Sequence, residues 1–154
     1  RGLSSALAFR ELLERLWSAG GGDPSAMPLA VQRYIYVTDD AREAEYAAQC
    51  VRDLARATSC LSSRAPSRDG LFLRPMPLND EPPLADFMDN AIIGPSDHCA
   101  EKLHREIEAL RPSHLCCFMG FAGIGREQTL ASMERFGYEV LPQLAGLIKM
   151  RNAA

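Results

Sequence analysis

The sequence predicts an α/β fold, rich in helix, with two main parallel strands. At His114–Met119 a short apolar run, HLCCFM, shows no alternation of polar and apolar positions, which is the pattern of a strand buried on both faces of a parallel sheet. It passes through a loop containing Gly120, Gly123 and Gly125 into a segment where Leu130, Met133, Phe136, Gly137, Val140, Leu141 and Leu144 recur at helical spacing. A second strand, Ala30–Val37 (AVQRYIYV), is rich in β-branched and aromatic residues and also leads into a helix. In strand–loop–helix units function collects at the carboxyl end of the strand, so the candidate site is Met119–Gly125.

Taken in order, the chain opens with a helix capped by Ser4 or Ser5, with an apolar stripe of Phe9, Leu12, Leu13 and Leu16. Trp17 lies beside that stripe and reads as packing, with a pocket wall as the alternative; Gly20, Gly21 and Gly22 end the helix. In the strand Ala30–Val37, Gln32 and Arg33 are the polar members, and one of them faces the interior or the rim. Arg33 meets either an anionic group or an internal carboxylate, and sequence leaves its direction open. Asp40 followed by Glu43 marks the next helix start, whose stripe of Ala44, Ala47, Ala48, Val51 and Leu54 allows close approach to a sheet. Thr38 and Asp39 lie at the same sheet end as the glycine loop, where capping and substrate contact are the two roles open to them.

Between residues 59 and 90 the periodicity is lost, and Pro66, Pro75, Pro77, Pro82 and Pro83 mark an insertion or mobile lid segment that a short helix, Leu84–Asn90, closes. Ser96 and Asp97 start a helix with a core stripe of Cys99, Leu103, Ile107 and Leu110 and a wet face of Glu101, Lys102, Arg105, Glu106 and Glu108. In the last helix Pro142 is expected to end the helix or tighten its final turn.

Composition bounds the function. Hydrophobic residues make up 47% and charged residues 24%, with a net charge of −3 and both signs interspersed. There is no basic stripe for nucleic acid and no apolar run near the ~20 residues needed to span a bilayer. Cys50, Cys60, Cys99, Cys116 and Cys117 fit no zinc spacing and read as reduced thiols in a cytoplasmic protein. His98 and His104 do not share a helical face and His114 opens its strand far from the glycine loop, so no metal site and no catalytic triad is assigned. The loop GFAGIG lacks the dinucleotide-binding glycine interval.

Three ordered blocks carry a resemblance. The apolar strand with its glycine loop, Glu127-Gln128, Ser132-Met133-Glu134-Arg135-Phe136 and Glu139-Val140-Leu141-Pro142 resembles the C-terminus of bacterial-luciferase-like flavin-dependent monooxygenases. Arg33 to Ala44 resembles the strand and helix start that precede it, and Ile92-Ile93-Gly94-Pro95-Ser96-Asp97 resembles the family's Gly-Ser-Pro helix start with proline and serine exchanged. The resemblance implies the C-terminal portion of a (β/α)₈ barrel, a fold that takes about 250 residues or more. The 154 residues, beginning at Arg1, therefore read as one partial barrel domain from a longer protein. It further implies reduced FMN and O2 as co-reactants, with electrons from NADH or NADPH or from a partner flavin reductase, and oxygenation of a small organic substrate. Deazaflavin-dependent oxidoreduction in the same barrel, and a non-catalytic scaffold or interaction fragment, are the alternatives; a homo-oligomer is compatible with each.

The main flavin contacts are expected upstream of this chain, and no catalytic residue is assigned within it. Substrate contacts are expected from Met119, Gly120, Phe121, Gly123 and Thr38, where apolar side chains would exclude water from the flavin chemistry. A late excursion of the barrel acting as a lid would bring Arg64, Arg68 and Arg74 toward an anionic substrate or the flavin phosphate.

Overall fold

The computed structural model describes residues 2–63 and 66–152, so Arg64 lies outside the described residues. The elements are helix α1 (Leu3–Ala19), strand β1 (Ala30–Val37), helix α2 (Ala41–Ser62), a hairpin of β2 (Arg68–Asp69) and β3 (Phe72–Leu73), α3 (Leu84–Asn90), β4 (Ile92–Gly94), α4 (Ser96–Leu110), β5 (His114–Phe118), α5 (Arg126–Arg135), a π turn (Phe136–Val140) and α6 (Leu141–Asn152). Among the described residues no helix is long and apolar enough to cross a membrane.

The α/β class holds, with β4 as a third parallel strand beside the two expected. The order is β4-β1-β5. Ile35, Tyr36 and Val37 pair with Ile92, Ile93 and Gly94 on one side, and Ala30 to Tyr34 pair with His114 to Phe118 on the other. This order does not confirm the expected barrel segment, in which successive strands are neighbours and β4 would hold the middle place. Both faces of β1 are apolar and three strands cannot close on themselves, so each face needs its own helical cover. Right-handed crossovers supply it: the chain steps one way from β1 to β4 and back past β1 to β5, which puts the two connecting helices on opposite faces. One core accordingly joins Ile35, Val37 and Ile92 to Leu103 of α4 and to Phe136, Val140 and Leu144. The other joins Tyr36 and Ile93 to Ala44, Ala47, Ala48 and Val51 of α2, with Phe121. This is an open doubly wound sheet.

Local reading placed β1, α3 and the stripes of α2 and α4 correctly, and the corrections come from tertiary surroundings. β5 forms as expected but is not buried on both faces: it is an edge strand, with His114, Cys116, Cys117 and Phe118 exposed. α1 is capped at Gly2 and neither serine caps it with its side chain. Phe9, Leu12, Leu16 and Trp17 of α1 are also exposed, although Trp17 Nε1 donates to the Asp23 carbonyl at 3.1 Å. The buried row after the glycine loop is Ser132, Phe136, Val140 and Leu144, whereas Leu130, Met133 and Leu141 are exposed. Pro142 does not stop the helix. The chain widens into the π turn, where the Leu141 N–H donates to the Phe136 carbonyl, and continues as α6. Glu106 leaves the expected wet face of α4 and is buried against Arg33, which settles the direction of that arginine.

The Pro-rich segment is tied to α2. Glu81 takes both forks of Arg56, at 2.6 and 2.5 Å. The Cys60 thiol lies 3.6 Å from the Ser67 carbonyl, beside the small hairpin. α2 runs back along the sheet for roughly 33 Å at 1.5 Å per residue. The hairpin with Arg68 therefore covers the far end of α2 and not the glycine loop.

Candidate functional site

The three sequence blocks converge at the carboxyl end of the sheet. The Thr38 N–H donates to the Gly94 carbonyl at 2.9 Å, which locks the ends of β1 and β4. Val37 has no partner on β5, whose pairing stops at Tyr34, and its N–H donates instead to the buried Ser132 hydroxyl at 2.8 Å. A side chain of α5 thus continues the ladder where the edge strand has ended.

Glu43 is the centre of the polar network. It accepts from the Thr38 hydroxyl at 2.8 Å, the Tyr36 phenol at 3.2 Å and the Gln128 amide at 3.4 Å, joining β1, α2 and α5. Burial, and then the Glu43 carboxylate, push the Tyr36 phenol up to about 12, so it stays protonated as a donor. Thr38 also accepts from the Asp40 N–H at 3.1 Å, and Asp40 caps α2 by accepting from the Arg42 and Glu43 N–H groups. The expected capping role of Thr38 is therefore met in an altered form, with Glu43 turned toward β1 instead of back to the N-cap. Arg135 bridges Asp39 at 2.9 Å and Glu139 at 3.0 Å. Hydrogen bonding to Arg135, and then to Ser96, lowers Glu139 from its ordinary value.

The glycine loop is seated by Tyr46, whose hydroxyl donates to the Gly123 carbonyl at 3.0 Å. Gly123 has φ +101, and a Cβ there would stand 2.6 Å from the Cys50 sulfur, so backbone conformation and packing both require glycine. Gly120 is different: it is exposed, and its nearest neighbour to an added Cβ is Thr129 Cγ2 at 3.9 Å. At the far end of the loop Gln128 reaches back to the Gly125 N–H at 3.2 Å and opens α5.

The five residues expected to contact substrate do not line one cavity. Met119 is buried in the core with Ile35 and Val37, while Phe121 is buried in the opposite core with Tyr36. The loop crosses the sheet end between them. Thr38 alone of the five lines a cleft of about 380 Å³ at the ends of β1 and β4, together with Asp39, Asp40, Met88, Asp89 and His98. Three carboxylates on this cleft oppose a flavin phosphate, and Arg135, the cation nearest Asp39, is already held by two carboxylates. The lining of this cleft does not by itself fit the phosphate of FMN. The cleft suits a neutral or cationic group in contact with Thr38 and Met88.

In the sequence Glu43 reads only as a cap partner, Gln128, Ser132 and Arg135 stand only within the resembling blocks with no contact assigned to them, and Tyr36 carries no role. Ser132 was legible in one respect, as a small polar residue in step with Phe136, Val140 and Leu144. Glu43 and Gln128 carried no such signal, because their partners are distant in sequence. The Cys99 thiol is fully buried and pushed up to about 12 by that burial, which keeps it protonated and unreactive. Among the described residues no group of three or more His, Cys, Asp or Glu side chains is placed to hold a metal ion. Neither any protein-family model nor any curated protein sequence matches the chain.

Proposed function

We propose that this chain is part of a flavin-dependent monooxygenase of the bacterial-luciferase-like type and that it supplies the substrate-facing end of the sheet. The observation that carries the reading is the meeting of the three blocks of resemblance at one sheet end, through Thr38 with Gly94, Glu43 with Gln128, and Asp39 with Arg135. In this reading the flavin is held by residues outside the chain, and Thr38 and the cleft beside it bound the organic substrate. The task of this end is to position the substrate and exclude water while the flavin supplies the reactivity.

The test is made on a longer protein carrying this chain. Purified protein supplied with reduced FMN and O2 should convert a substrate to oxygenated product, and Thr38→Val should raise KM or increase peroxide release. A protein that neither takes up flavin nor alters the fate of reduced FMN overturns the proposal. A non-catalytic scaffold is the second reading, and the strand order β4-β1-β5 favours it, since that order is not a barrel's.

A further inference from the structure

We propose that the cleft between α1 and the amino-terminal half of β1 binds a small amphipathic carboxylate, its acid group held by Arg10 and Arg33. The cleft has a volume of about 280 Å³, near the lower end for small-ligand sites. Its walls are largely apolar, with Phe9, Val31 and Leu110 among them, and both arginines line it. It lies at the opposite end of β1 from Thr38 and is independent of the monooxygenase reading.

Each guanidinium group keeps one buried nitrogen without a partner. Arg10 pairs through Nε with Glu14 at 2.7 Å, and its Nη1 is buried with no hydrogen-bond partner. Arg33 pairs through Nε with Glu106 and donates Nη1 to the Gln32 carbonyl at 3.1 Å, while its Nη2 is buried without a partner. The side chains are 15% and 10% exposed, so solvent does little to satisfy them. Two orphaned donors beside one apolar cleft call for an acceptor that brings its own hydrocarbon. A carboxylate entering the cleft supplies it, reached by a turn of each guanidinium about its last side-chain bonds. Glu14 and Glu106 already balance one charge each, which favours a monoanion over a phosphate dianion.

Calorimetric titration of the chain with octanoate, 1-octanol and octyl phosphate tests this. Octanoate should bind at least tenfold more tightly than either of the others. Arg10→Gln, which removes one of the two guanidinium groups, should weaken octanoate at least fivefold and leave octanol unchanged in protein shown to be folded by circular dichroism. Arg33→Gln combined with Glu106→Gln, which leaves no buried carboxylate uncompensated, should do the same in protein shown to be folded by circular dichroism. Equal affinity for octanoate and octanol would mean an apolar groove only. That result, tighter octyl phosphate, absence of octanoate binding at millimolar concentration, or indifference to both variants overturns the proposal.

Discussion

Gly123→Ala should be among the most damaging single-methyl additions in the molecule. At φ +101 an L-residue is strained, at a cost of ~1–3 kcal/mol. The added Cβ would also stand 2.6 Å from the Cys50 sulfur on α2; relieving such overpacking costs ~1–3 kcal/mol more. The sum centres on ~4 kcal/mol, which for a chain of this size lowers Tm by ~10 °C. Urea unfolding followed by circular dichroism, with the m-value checked for constancy, measures it. Cys50→Ala separates the two contributions by removing the sulfur while keeping the Cβ. In that background Gly123→Ala should cost only the backbone part, giving a coupling equal to the packing part, ~1–3 kcal/mol, between the sites. Gly120→Ala is the control, with only Thr129 Cγ2 at 3.9 Å to meet, and should stay within ~0.5 kcal/mol of the parent. Equal costs for Gly123→Ala with and without the Cys50 sulfur would refute the packing argument. A cost no greater than that of Gly120→Ala would refute both parts.

Ser132→Ala should destabilise by ~1–3 kcal/mol, because the buried Val37 N–H loses its acceptor; unchanged urea midpoints would show that the bond contributes nothing. The Arg56 forks hold the Glu81 carboxyl at about 2, below its ordinary 4.5. A depressed carboxylate contributes stability above its unfolded value and loses it as pH falls through the folded one, so the stability gap between parent and Glu81→Gln should close between about pH 4.5 and about pH 2. A gap constant across that window would mean the pair is not formed in solution. The chain alone should not quench FMN fluorescence at micromolar concentration, since carboxylates line the cleft at Thr38; micromolar binding would show that the chain completes a flavin site unaided.

What the sequence by itself determined is local. The β-branched and aromatic residues of Ala30–Val37, the small stripe of α2 and the periodicity of α4 fixed those elements and their apolar faces, because propensity and period act over a few neighbouring residues. The glycine loop was also legible, as the only break between β5 and α5. Tertiary structure decided which strands are neighbours, and placed β1 between β4 and β5 because both of its faces are apolar and each takes a helical cover. It left HLCCF at an exposed edge: an apolar run states that burial is favourable, and whether a cover exists depends on surfaces elsewhere in the chain. The polar site was decided in the same way. Glu43 meets Gln128, Arg33 meets Glu106, and Gly123 must be glycine partly because Cys50 lies beneath it. Each is a contact between residues far apart in sequence, and no local pattern encodes such a distance.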